Sequence, residues 1–247
     1  MNRPHRAGWH PAALVSAHLL ALLLMGSWLL EPTRSFWLIL DEQLFWAMND
    51  SLEWGRGWQQ LWAVANNRAF DLVAGGSMLL LFVHHALLHE RQRLPHYLSV
   101  LAVMFFVLLV LLLISKELPI ERPSATAQFP EALRLSQLVP EIPTKDFSSD
   151  SFPGDHGLVL LVCAGYALAY LPAGYGLLAL LFMVLFTLPR LMSGAHWVTD
   201  EIVGAVSVGL PALAWLFATP LQRVMLDAVR KRVESMGGKL MRRRRLS

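Results

Sequence analysis

Six apolar runs, each close to the thickness of a bilayer's hydrocarbon core, govern what this chain can fold into. They span Ala12 to Leu30, Ala69 to Leu88, His96 to Ile114, His156 to Leu171, Ala173 to Leu188 and Ile202 to Thr219. A helix crosses ~30 Å of hydrocarbon with about 20 residues, and in lipid each backbone amide must be satisfied within its own helix. The expected fold is therefore all-α: a polytopic membrane protein, a six-helix transmembrane bundle with interfacial helices. Composition agrees, since 55% of the 247 residues are hydrophobic and only 16% are charged, a poor balance for a soluble core. The first run follows Arg3 and Arg6, is longer than the core of a cleavable signal and ends without an Ala-x-Ala site, so it reads as a retained anchor. Cys163 is the only cysteine, which excludes a disulfide framework and a thiolate metal site.

Between the first two runs, Trp37, Trp46, Trp54, Trp58 and Trp62 alternate with Asp41, Glu42, Glu53 and Arg56. Indoles mixed with charges favour the membrane–water boundary, so residues 31–68 are expected to form an interfacial segment. The chain otherwise reads as one catalytic domain, 1–247, with a basic tail over 220–247. That tail ends in Arg242 to Arg245, a topology and anionic-lipid signal. With the N-terminus inside, 13 of the 21 Lys and Arg residues fall on the inner side and eight on the outer. Both termini are then cytoplasmic, and 115–155 and 189–200 share the outer surface.

Those two outer segments carry the chemistry. A helix beginning at His196 would place Asp200 on the same face, where a carboxylate can orient an imidazole as nucleophile or base. Arg190 precedes the pair across Ser193 and Gly194, and its fork of donors suits a phosphate. His156 follows Pro153-Gly154-Asp155 at the start of an apolar run, where helix amides collect anions. Two histidines and arginines around an anion site point to phosphoryl transfer. Asp155 has two readings: an N-cap for the helix that follows, or a charge that tunes His156. Asn67 could likewise be a cap, with Arg68 beside it on the outer side. Lys116 is either a phosphate ligand or an interfacial lysine with its stem in lipid. His18, His84, His85 and His89 have no partner at useful spacing and read as structural.

At these residues the chain resembles the type-2 phosphatidic acid phosphatase superfamily, whose motifs are a Lys then Arg-Pro, a Pro-Ser-Gly-His, and an Arg followed by His and Asp. The matching positions are Lys116 with Arg122-Pro123, then Pro153 and His156, then Arg190, His196 and Asp200. Lys116 lies one residue closer to Arg122 than the family spacing, and Gly154 and Asp155 replace Ser and Gly. Asn66 to Asp71, Val139 to Gly157 and Pro189 to Asp200 resemble one branch more closely, the inner-membrane lipid A phosphotransferases of Gram-negative bacteria. The resemblance implies undecaprenyl diphosphate as phosphate donor and the 1-phosphate of lipid A as acceptor, with His196 as nucleophile. It also implies His156 as acid, phosphate held by Arg122, Arg190, Lys116 and Gly154, and no metal or cofactor. Arg68, Lys145 and Asp155 are expected to bind or tune the acceptor. A hydrolase using water, or a membrane scaffold that binds phosphate headgroups without turnover, would use the same residues. The implied location is the bacterial inner membrane with the site facing the periplasm; no nucleic-acid partner is expected and the oligomeric state stays open.

Overall fold

The computed structural model describes residues 8–244, and their side chains as far as Arg232. Arg3 and Arg6, and the side chains of Arg242 to Arg245, lie outside the described residues. Every regular element among the described residues is helical. The apolar runs become α1 (Pro11–Leu29), α4 (Arg68–His89), α5 (Leu94–Lys116), α8 (Asp155–Tyr170), α9 (Ala173–Met192) and a π-helical segment, Asp200–Ala205, leading into α10 (Val206–Phe217). Five of these six are long and apolar enough to cross a membrane. The sixth, α8, has 16 residues, which at 1.5 Å per residue is ~24 Å and short of the hydrocarbon thickness. The six-span expectation is thus met by five full-length helices and one shorter one.

Burial explains why α8 can be short. It packs against α4, α5, α9 and α10, so it is the centre of the bundle. Leu158, Val162, Ala164 and Tyr166 on it are fully enclosed, and they join Phe82, Val100, Val103 and Met104 in the main core. The peripheral helices turn Leu22, Leu23, Leu72, Leu80, Phe105, Phe106, Leu109 and Leu181 outward. An apolar surface of this extent belongs in lipid.

The Trp-rich segment folds as two helices, α2 (Thr33–Asp50) and α3 (Arg56–Ala65), joined by a short 3₁₀ turn. α2 packs against α1 and α9. It carries Asp41, Phe45 and Asn49 inward, so its polar residues are not simply facing water. Two one-turn helices, α6 (Ala125–Gln128) and α7 (Leu135–Leu138), punctuate the long α5–α8 connection. α11 (Leu221–Arg244) closes the chain against α5 and α10.

Candidate active site

The loop after α9 positions His196. The helix runs through Pro189 and Arg190, and then the amides of Ala195 and His196 both return to the Arg190 carbonyl, at 3.1 and 3.3 Å. This tight turn needs Gly194, whose φ is +69° and where a Cβ would lie 2.7 Å from Thr126 Cγ2. His196 therefore stands in a turn, and the helix expected to begin at it starts at Val198 instead. Asp200 still faces it, for a different reason. The Asp200 amide donates to the Trp197 carbonyl at 3.1 Å and its carboxylate accepts from the Trp197 amide at 2.8 Å, a reciprocal helix cap. Folded back this way, Asp200 Oδ2 lies 3.5 Å from His196 Nδ1.

The same Nδ1 is 2.9 Å from the Ser151 carbonyl oxygen. A carbonyl only accepts, so Nδ1 carries the proton and the lone pair is left on Nε2. Burial opposes a charge on this ring, but Asp200, Glu201 and Asp155 outweigh it and raise the His196 pKa above its ordinary 6.5. Nε2 lies 3.7 Å from Asp155 Oδ1.

Arg122 reinforces Asp200 from behind. Its Nη1 donates to Asp200 Oδ1 at 2.7 Å and to Thr199 Oγ1 at 2.8 Å, and its Nη2 donates to Asp41 Oδ2 at 2.7 Å. The guanidinium carbon lies 4.8 Å from the Trp197 ring centre and 5.4 Å from that of Trp28. Arg122 was expected at the phosphate; the structure turns its fork onto two buried carboxylates instead. Asp41, in α2, escaped the sequence reading because nothing local to it signals a partner on α5's far side.

Arg190 faces the other way. Nη1 donates to Asn66 Oδ1 at 2.7 Å and to the Asn66 carbonyl at 3.3 Å, while Nη2 reaches both oxygens of Asp71 at 2.8 and 2.9 Å. His156 Nε2 lies 2.9 Å from Asp71 Oδ1 and 2.8 Å from Arg190 Nη2. Its Nδ1 is 2.9 Å from Asp155 Oδ1, which also accepts from the His156 amide at 2.8 Å. Asp155 is thus the first residue of α8 rather than its N-cap, which is Gly154; its carboxylate takes up the first-turn amide of His156 and bridges toward the two histidines. Lys145 stands near enough for its charge to act on Asp155. The site opens on this side, where the Asp155 and Asp71 side chains are 52% and 37% exposed while those of Arg190 and His196 are nearly closed off.

The remaining expected residues fall outside this constellation. Gly154 spends its amide on the Asp200 carbonyl at 2.9 Å, so it is not an anion donor here. Its lack of a side chain matters instead, because a Cβ at Gly154 would run into the Glu201 carboxyl. Neither Glu201 oxygen has a hydrogen-bond partner among the described residues. Lys116 ends α5 and is exposed, and Arg68 opens α4 and is exposed. No hydrogen bond or ion pair joins either to the site among the described residues. Asn67 is a cap, its side chain accepting from the Ala69 amide. Among the described residues no three or more His, Cys, Asp or Glu side chains converge as metal ligands.

Arg190, His156, His196 and Asp200, drawn from two distant motifs, thus meet around Asp155, whose Oδ1 lies 2.9 Å from His156 Nδ1 and 3.7 Å from His196 Nε2. No family model and no solved structure matches the chain. A curated protein does: the lipid A 1-diphosphate synthase of Escherichia coli strain K12 is 38% identical over 212 residues, covering 84% of this chain and 88% of that protein. A match of that depth over nearly the whole length of both proteins includes the bundle and the site together, and the chain belongs to the lipid A phosphotransferase branch of the type-2 phosphatidic acid phosphatase superfamily, a branch of membrane enzymes.

Proposed function

We propose that this enzyme moves the terminal phosphate of undecaprenyl diphosphate onto the 1-phosphate of lipid A through a phosphohistidine at His196. The observation that carries the reading is the seating of His196. Its Nδ1 proton is committed to the Ser151 carbonyl beside Asp200, which leaves Nε2 as a fixed, unprotonated nucleophile. In the first step an Nε2–P bond forms as the P–O bond to the bridging oxygen breaks, and undecaprenyl phosphate leaves with the electron pair. In the second, a 1-phosphate oxygen of lipid A attacks phosphorus and the N–P bond breaks, restoring His196. Phosphoryl transfer asks mainly for positioning and charge stabilisation, which Arg190 and His156 supply at the transferring group. His156 is the acid for the departing phosphate, a leaving group that needs little protonation. Arg122 acts through Asp200, holding the carboxylate that orients the nucleophile.

The name of the E. coli relative supports the acceptor and product. The Lys and Arg distribution supports a periplasm-facing site in the inner membrane of a bacterium, both termini cytoplasmic, and 31–68 at the outer interface of a single catalytic domain. Donor labelled in its terminal phosphate, supplied to membranes with lipid A, tests the reading. Labelled, doubly phosphorylated lipid A detected by mass spectrometry is the expected product. Labelled inorganic phosphate in its place would make the enzyme a hydrolase, and neither product would favour a binding protein without turnover.

A further inference from the structure

The anion seat between Arg190 and His156 is already filled by a side chain of the protein. Asp71 Oδ1 is 2.8 Å from Arg190 Nη2 and 2.9 Å from His156 Nε2, and Oδ2 is 2.9 Å from the same Nη2. A phosphoryl oxygen held by the same two side chains would occupy the same place. Asp71 is not needed to keep Arg190 in position, because Asn66 holds the other guanidinium nitrogen through both its side chain and its carbonyl. Asn66 is itself anchored, its Nδ2 donating to the Lys145 carbonyl at 2.7 Å. The Asp71 side chain is 37% exposed and Arg190's 4%, so an anion reaching the arginine from outside meets Asp71 first.

We propose that Asp71 is a resident stand-in for phosphate, that substrate binds by exchange with it at Arg190 and His156, and that this exchange selects diphosphates over single phosphates. A lone phosphate swaps one anion for another at the same donors and gains little. A diphosphate also brings a second phosphate, and Lys145, tied through its carbonyl to the Asn66 that holds Arg190, is the cation on this side of the site to receive it. Once the terminal phosphate has passed to His196, the monophosphate left behind loses that advantage and Asp71 returns to Arg190, which speeds product release. The inference rests on the diphosphate-donor reading above for its biological meaning, but its test does not depend on turnover.

Equilibrium dialysis of labelled orthophosphate and pyrophosphate against the full-length chain in detergent micelles reads the exchange directly. In the unaltered chain pyrophosphate should bind more tightly, and equal binding of the two overturns the proposal without any variant. Asp71→Asn and Asp71→Ala should bind orthophosphate about tenfold more tightly, the scale of freeing a charge-assisted donor pair. Pyrophosphate should gain less, so the preference for it shrinks, whereas Asp71→Glu, which keeps the charge, should stay near the unaltered chain. Unchanged or weaker orthophosphate binding in a variant that keeps the native melting transition would show that Asp71 only supports Arg190. If the dialysis result holds but no lipid A is phosphorylated, the exchange stands and the transferase reading falls.

Discussion

Arg122 and Arg190 resemble each other in sequence, each an arginine beside a proline at the outer end of an apolar run, yet the fold puts them in opposite situations. Arg122 is turned inward: its Nη donors go to Asp41, Asp200 and Thr199, and two tryptophan rings flank its guanidinium carbon at 4.8 and 5.4 Å. Arg190 is fixed on one side by Asn66 and held on the other by Asp71, a partner that is partly exposed. The comparison teaches that a motif arginine can serve either the reaction or the residue that orients the nucleophile. Its hydrogen-bond partners, rather than its spacing, decide which.

In the proposed mechanism both arginines serve the transfer through His196, so the largest effect is its removal. His196→Ala should abolish transfer in purified membranes, because it removes the proposed nucleophile. Asp200→Asn, which breaks the link between Arg122 and His196, should leave a small residual rate, a loss of up to ~10⁴-fold by analogy with the orienting aspartate of serine proteases. Near-normal transfer by His196→Ala, measured with labelled donor, would overturn the assignment of both arginines along with it.

The arginines themselves should then separate. Arg190→Ala removes a charge aimed at the transferring group and should cost ~10²–10³-fold in kcat, with little change in thermal stability, since Asp71 can turn to solvent. Arg122→Ala leaves Asp41 and Asp200 buried without their cation, a defect worth ~3–5 kcal/mol of stability. Melting curves in detergent alongside turnover would distinguish them. Equal stability losses in the two variants would erase the contrast.

How much of this was legible in the sequence follows from the range over which each signal acts. Lipid forces long apolar runs, so the spans could be read to within a few residues, although α9 continues past the end of its apolar run at Leu188 to Met192, carrying Pro189 and Arg190. The third motif was also legible, since Arg190, His196 and Asp200 lie within one turn-and-cap unit. What could not be read were partners fixed by packing between distant helices. Asp41 meets Arg122 across 81 positions and Asp71 meets Arg190 across 119, and no periodicity records either pairing. The stretch Asn66 to Asp71 did stand out as a unit, but its caps and cations drew notice ahead of its carboxylate. Gly154 was visible as a departure from the superfamily pattern, whereas the Glu201 carboxyl packed against it was not.

A subtler difference between the two arginines should appear in the pH dependence. In the proposed mechanism only neutral His196 attacks, and its neighbouring carboxylates raise its pKa above the ordinary 6.5, so transfer should rise as pH increases through that raised value and fall below it. Asp200→Asn removes a partner that raises the pKa, so the acid limb of its residual rate should move to lower pH. Arg190 donates to Asn66 and Asp71 rather than to His196 or Asp200, so Arg190→Ala should move the limb less than Asp200→Asn does. A limb that moves in Arg190→Ala and stays in Asp200→Asn would reverse the two roles.

The smallest effects concern the cations outside both arginine cages. Arg68 is exposed at the start of α4, three residues before Asp71, and Lys145 is half-buried with its carbonyl bound by Asn66 and its charge acting on Asp155. Neither touches the seat at Arg190. Arg68 lies one helical turn from Asp71, and Lys145 acts on Asp155, so each can offset these carboxylates toward an approaching anionic acceptor. Screened, partly exposed charges of this kind contribute modestly, so Arg68→Ala and Lys145→Ala should each weaken acceptor use by about two- to fivefold while donor cleavage changes less. The measurement is the dependence of transfer on lipid A concentration, compared with phosphohistidine formation from labelled donor in a single turnover without acceptor. Lys145→Ala should show the larger effect, because Lys145 is the cation whose charge acts on the bridging carboxylate. Equal losses in cleavage and acceptor use would place these cations with Arg122, as supports of the fold.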